Sequence, residues 1–329
     1  MRNNFLDWLK GILILLVIVG HILQGSLQDN EIRYFIYSFH MPLFFGLTGF
    51  LLNTNKLALF SIIDVFNNYK YRILVPFLIA SFCYFNFFFY FNPTNSYFQD
   101  IINFTFINTF YHLWFIPSFL CFIIVYWIFL KLKIETKKIV VISLIISIFF
   151  LLLEQFTYLH SEVRYLSKLL RIIQHVVRPH FFFFFILGST LKNYKIAEPK
   201  KLIYVMIPFF ILNGFHLLNL HFIANKFIYL ISNSLLVIFI FSYYTNTETN
   251  LNNKVKWFGT NSLGLYLWHI FPILLAKLFF TNDIKNYYVV EQQNLLSFYI
   301  IVIIFELLFL YLYFKLSKLN FFKKYFFGM

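Results

Sequence analysis

Charge is what this 329-residue sequence has least of: Asp, Glu, Lys and Arg make up 12% of it, against 60% hydrophobic residues. A soluble chain of this length would carry roughly 25% charged residues and show periodic polar faces. Neither is present, which excludes an ordinary soluble protein. Acidic residues are scarcest, 13 against 27 basic ones, for a net charge of +14. In a soluble protein that excess would suggest nucleic acid; here membrane topology explains it better, and no nucleic-acid partner is expected. Two cysteines, Cys83 and Cys121, fall inside apolar runs. They offer neither a disulfide framework nor metal-ligand spacing, so no metal is expected. The first apolar run leads directly into His21-Ile22-Leu23-Gln24 with no small-x-small cleavage site, so it reads as a retained helix and not as a signal peptide. No internal repeat is visible and no stretch is left over for a soluble domain, so residues 1–329 read as a single membrane domain.

What the sequence does have is a succession of apolar runs long enough to cross about 30 Å at 1.5 Å per residue. Ten helices are predicted: 5–23, 35–52, 73–91, 113–130, 139–154, 176–191, 202–220, 226–244, 258–280 and 295–316. The fifth is short and the sixth is interrupted by Pro179. The expected fold is therefore all-α and polytopic. Cytoplasmic joints carry the excess of Lys and Arg. With the N-terminus inside, nineteen of the 27 basic residues fall on the inner side and seven on the outer, with Arg178 near the outer end of helix six. Both termini are thus expected in the cytoplasm and the protein in the cytoplasmic (inner) membrane. All nine histidines then lie between the membrane middle and its outer side, while the inner rim is rich in fixed cations.

Ionisable groups inside apolar runs are costly and by default mark function. Lys10 and His21 are eleven positions apart on the first helix, about 16 Å along its axis and close to three turns, so they face nearly the same way. Such a face could grip a phosphate-bearing donor at the cation and react it at the imidazole. Equally, Lys10 could snorkel to the headgroups and pair with Asp7 at i,i+3 while His21 sits in the interface. On the second helix His40 is followed by Pro42, which weakens the helix where a polar side chain must point inward. Gly46 and Gly49 leave small surfaces for a close helix contact, and Thr48 can satisfy freed carbonyls. An imidazole pair formed by His21 and His40 is plausible; a satisfied core histidine is the alternative for His40.

These stretches resemble the membrane acyltransferase-3 family. Its members show a basic residue, ten intervening positions and a histidine, then an F-H-M-P-x-F-F-x-x-S-G stretch. Here stand Leu6-Asp7-Trp8-Leu9-Lys10-Gly11, Gly20-His21, and Phe39-His40-Met41-Pro42-Leu43-Phe44-Phe45 with Thr48-Gly49. The likeness continues through Tyr71-Arg72-Ile73-Leu74-Val75-Pro76, His112-Leu113-Trp114-Phe115, Phe184-Phe185-Ile186-Leu187-Gly188 and Gly259-Thr260-Asn261-Ser262-Leu263-Gly264 up to His269. It spans nearly the whole chain in order.

The resemblance implies an enzyme of about ten transmembrane helices that moves acyl groups other than aminoacyl groups. The donor would usually be acetyl-CoA from the cytoplasm, and the acceptor a hydroxyl of a surface glycan or lipid-linked sugar. By the resemblance His21 would be the catalytic histidine and Lys10 its partner in the motif; on the reading of the residues themselves, His40 and Asp7 join the catalytic set. Lys10, Lys70 and Arg72 would hold the CoA phosphates. Lys10 replaces the more usual arginine and loses the bidentate fork. The family often pairs arginines four apart before helix three, whereas Arg72 has Asn68 at that position. Trp114, Arg178, His180 and His269 are the candidates for substrate contacts; Arg178, Trp114 and His180 also read as interfacial anchors. Glu306, within the tenth span, must be paired or protonated. A transporter or flippase of glycan intermediates would use the same buried polar groups, and paired broken helices with repeats would favour it. Neither the acceptor sugar nor the choice between acetyl and a longer or charged acyl follows from the residues.

Overall fold

A computed structural model describes residues 4–27, 30–93, 96–159, 169–170, 172–192, 222–244, 252–280 and 294–329. Among them the secondary structure is helical, with no strand. In chain order the α-helices are α1 (Asn4–Ile22), α2 (Glu31–Leu51), α3 (Thr54–Leu59), α4 (Ile62–Tyr69), α5 (Val75–Phe91), α6 (Tyr97–Ile102), α7 (Phe115–Lys131), α8 (Thr136–Leu159), α9 (Phe182–Leu191), α10 (Phe222–Tyr244), α11 (Asn253–Thr260), α12 (Ser262–Trp268), α13 (Ile270–Lys277), α14 (Leu295–Leu316) and α15 (Asn320–Tyr325). Six stretches among the described residues are long and apolar enough to cross a membrane: Asn4–Ile22, Glu31–Leu51, Ile62–Phe91, Thr136–Leu153, Asn225–Ser242 and Leu295–Leu316. Phe115–Lys131 and Ser262–Lys277 are shorter apolar helices. The seventh expected span, 202–220, lies outside the described residues.

Departures from the expected spans have local causes. The third run starts at Ile62, well before residue 73, because a π-helical turn at Lys70–Leu74 joins α4 to α5. Pro76 has no N–H to give the carbonyl of Arg72, and the wider turn absorbs that loss. The sixth run breaks into a π turn Ile173–Val177, Arg178 in the left-handed region (φ 48°), a 3-10 turn Pro179–Phe181 and then α9. The ninth breaks at Asn261 and at His269, the latter three residues before Pro272. Pro42, by contrast, sits inside an uninterrupted α2. Its missing N–H would have bonded the carbonyl of Ser38, and the side-chain amide of Asn233 donates to that carbonyl instead, at 2.9 Å.

The chain forms two compact units that interleave along the sequence. The first comprises Met1–Tyr37, Ile62–Phe106 and Leu251–Met329. Here α1 lies against α11 with backbones in close approach: a Cβ on Gly11 would collide with the Val255 carbonyl, and one on Gly259 with the Asp7 carbonyl. Tyr84 of α5 donates its hydroxyl to the Leu267 carbonyl of α12 at 2.9 Å. The second unit comprises Ser38–Ser61 and Ile107–Asn250. Its centre is α9, where Gly188 meets the Gly46 backbone and Gly49 meets Phe185. The phenylalanine run 181–185 is wholly buried. Packing around α9 accounts for that run.

Candidate active site

Helix α1 carries the first group. Asp7 is 6% exposed, and the Lys10 ammonium donates to its Oδ1 at 2.8 Å. The pair lies where α1 and α11 are closest, since Gly259 seats on the Asp7 carbonyl. Bulk at residue 259 would therefore move the carboxylate and its cation together.

Three turns along α1 from Lys10, His21 meets Tyr37 and His269 in the same unit. The Tyr37 hydroxyl and His21 Nδ1 share a hydrogen bond of 3.0 Å, and the two rings stand edge to face at 84°. Gly20 makes room for this, because a side chain there would press within 2.9 Å of the Tyr37 ring. On another side the His269 ring lies 5.2 Å from that of His21, centroid to centroid. His269 is fully buried, and its Nδ1 faces the carbonyls of Leu265 and Tyr266 at 3.0 and 2.9 Å. Two acceptors at Nδ1 assign the proton to that nitrogen, so the neutral ring keeps Nε2 as an acceptor. Arg33, itself buried, stacks its guanidinium over the Tyr37 ring at 5.3 Å and donates Nη1–H to the Gly25 carbonyl. A phenol under a cation and an imidazole of fixed tautomer thus flank His21. Such a cluster can hold one ring orientation and pass a proton.

Arg72 and Lys70 lie on the π turn before α5. Arg72 lines a cleft of about 680 Å³ together with Thr260, Lys323 and Lys324. Lys70 has its ammonium over the Phe66 and Tyr71 rings at 5.8 and 5.2 Å.

The second unit holds the other candidates. His40 is 3% exposed on α2. Trp114 stacks on Phe181 at 5.5 Å, and the Arg178 guanidinium sits 3.8 Å from the centre of the indole. Arg178 holds a left-handed backbone that L side chains adopt at a cost. Its Nε also donates to the His175 carbonyl at 3.2 Å. His180 packs on Phe181 with centroids 4.1 Å apart. The Arg178 guanidinium thus covers a face of a buried indole that also stacks on Phe181, a cation–π contact. In the first unit, Glu306 is 7% exposed on α14, and its Oε1 has no hydrogen-bond partner among the described residues.

Of the sequence candidates, the first unit thus brings Asp7 to Lys10 and His21 to His269, and the second brings Trp114 to Arg178. Sequence reasoning passed over Tyr37, whose only signal is a polar residue on α2 one turn before His40. It counted Lys323 and Lys324 only as inner charge. Among the described residues no group of three or more His, Cys, Asp or Glu side chains is arranged to hold a metal ion.

Among the described residues, six helices long and apolar enough to cross a membrane, with His21 of the first beside His269 of a shorter apolar stretch, mark a membrane protein. A family model described as an acyltransferase domain matches residues 3–315. The chain belongs to that family, the membrane acyltransferase-3 family. It is also 42% identical over 57 residues to the nodulation protein NolL of Sinorhizobium fredii, a match covering 15% of this chain and 16% of that protein. The nodulation protein NolL of Mesorhizobium japonicum matches at 42% over 57 residues as well, covering 15% of each. The matched stretch therefore spans about a sixth of the length of these curated relatives. No solved structure matches the chain.

Proposed function

We propose that this chain is an integral-membrane O-acyltransferase that moves an acyl group, acetyl foremost, from cytoplasmic acyl-CoA to a hydroxyl of a cell-envelope glycan or lipid-linked sugar. The observation that carries the reading is His21, held between Tyr37 and His269 in a chain of the acyltransferase family. With Nδ1–H donating to the Tyr37 oxygen, His21 Nε2 is the base. It takes the acceptor hydroxyl proton as that oxygen attacks the thioester carbonyl. The C–S bond then breaks, the thiolate takes the proton back from the imidazolium, and the products are an O-acyl ester and free CoA. His269, buried with its proton on Nδ1, positions the His21 ring against which it packs. In this reading Lys10, Lys70 and Arg72 hold the donor phosphates, with Asp7 orienting Lys10. Trp114, Arg178 and His180 receive the acceptor, and His40 keeps a proposed catalytic role on the strength of its F-H-M-P motif.

The proposal includes ten spans, both termini in the cytoplasm, and the two compact units working as one domain in the cytoplasmic membrane. Mass spectrometry of surface glycans from cells carrying the intact gene, a deletion or His21→Ala tests it. Loss of an acyl mass in both altered strains, with the glycan still exported, is the expected result. Glycan that keeps its acyl groups and accumulates inside the cell would overturn the transferase in favour of a transporter.

A further inference from the structure

Residues past 315 lie beyond the family match, yet they fold back firmly on the first unit. After α15, the Phe326 carbonyl accepts from Trp268 Nε1–H at 3.0 Å, and its ring stacks on that indole with centroids 5.7 Å apart. Phe327 is buried against Tyr313, 4.3 Å between centroids. Gly328 then takes a left-handed φ of 65° and seats against the Arg72 carbonyl. Any side chain there would be strained by its φ and would also strike that oxygen, the one left without its usual helical donor by Pro76.

This fold-back makes the C-terminal segment one wall of the 680 Å³ cleft. Arg72, Lys323, Lys324 and Thr260 line it together with Tyr71, Gly328 and Met329, and none of these three cations forms an ion pair among the described residues. Lys324 lies over the Tyr71 ring at 4.4 Å instead. Cations gathered around one space repel, and an anion entering that space relieves the repulsion. A guanidinium fork flanked by two ammonium groups and a hydroxyl suits tetrahedral phosphate. Thr260 follows Gly259, the residue seated on Asp7, so the cleft opens beside the Asp7–Lys10 end of α1.

We propose that this cleft is a phosphate-binding site in which Lys323 and Lys324 of the C-terminal segment complete, with Arg72, a clamp on the phosphates of the acyl donor. The proposal rests on the acyl-CoA reading above for the ligand's identity; an anionic lipid headgroup offers the same phosphate chemistry. The test uses the full chain in detergent with an N-terminal tag. Binding of CoA and of dephospho-CoA is measured by calorimetry for wild type, Lys323→Gln/Lys324→Gln and a control, Lys318→Gln, whose ammonium lies over Phe314 and outside the cleft. Both cleft lysines are exposed, so the double variant should melt as wild type does. Its CoA affinity is expected to fall at least tenfold, and any preference for CoA over dephospho-CoA to shrink, while the control binds normally. A parallel arm compares the thermal shift produced by phosphatidylglycerol with that produced by phosphatidylcholine. Loss of the phosphatidylglycerol shift in the double variant, with CoA binding unchanged, would keep the phosphate site and assign it to lipid. A double variant equal to wild type in both arms overturns the proposal. His21→Ala separates the two readings: it should bind CoA normally, so lost transfer with retained CoA binding bears on the chemistry and not on the cleft.

Discussion

At the scale of single residues, the chemistry turns on which nitrogen of His21 is held and which is offered. Tyr37 engages Nδ1 at 3.0 Å and leaves Nε2 for the acceptor. Tyr37→Phe removes the hydrogen bond but keeps the ring that packs on Gly20. We expect kcat to fall about tenfold, one hydrogen bond's worth of orientation, with KM for acyl-CoA unchanged and the melting temperature preserved. A rise in KM or a loss of stability instead would make Tyr37 a packing residue. The spacing of Lys10 and His21 was legible because both lie on one helix, as was the i,i+3 pairing of Asp7 with Lys10. Tyr37 and His269 were not, since their proximity to His21 depends on how separate helices pack, which no local spacing encodes. The Asp7–Lys10 pair invites a test of its own. Lys10→Met takes the Lys10 ammonium away from a carboxylate that is 9% exposed, and should cost about 1–3 kcal/mol in stability. Asp7→Asn/Lys10→Met should recover most of that loss in a thermal melt. If the pair serves donor binding, activity stays low in the double variant although stability returns.

At the scale of elements, helix existence could be read from apolar length, and Leu295–Leu316 coincides with its expected span. The breaks were harder, because a proline states only that one N–H is missing and not who replaces it. Pro179 opens a 3-10 turn, Pro76 comes with a π bulge, and Pro42 leaves α2 continuous where Asn233 of α10 donates to the Ser38 carbonyl. Thr48, expected to serve freed carbonyls, bonds Phe45 at 2.9 Å. A double-mutant cycle follows from this. Asn233→Leu should destabilise the wild-type background by about 1–3 kcal/mol, the cost of removing a buried donor. In a Pro42→Ala background residue 42 supplies its own N–H to Ser38, so the same substitution should cost markedly less. Chemical denaturation of the four proteins gives the coupling; equal costs in both backgrounds would mean that Asn233 acts elsewhere.

At the scale of the whole molecule, what the sequence carries is a charge gradient more than a shape. Basic residues crowd the joints assigned to one side and histidines the other, and insertion follows the basic side inward. The interleaving of two compact units was not legible, because it depends on long-range pairings such as Tyr84 with Leu267 and Trp268 with Phe326. The gradient nevertheless makes a prediction that needs no knowledge of how the units pack. Cys83 and Cys121 are free and partly buried, so replacing both with alanine gives a background without thiols. Single cysteines then go to Leu27, 41% exposed in the first outer joint, and to Asn253, exposed at the start of α11 in a joint assigned to the inside. A membrane-impermeant maleimide applied to intact cells should label Leu27→Cys, and should reach Asn253→Cys only after permeabilisation. That pattern would put the Arg72, Lys323 and Lys324 cleft, whose Thr260 lies at the far end of α11, on the side where a cytoplasmic acyl donor arrives. The reverse pattern would leave the cationic cleft facing away from cytoplasmic CoA, and the donor would then have to come from the other side or be something other than acyl-CoA.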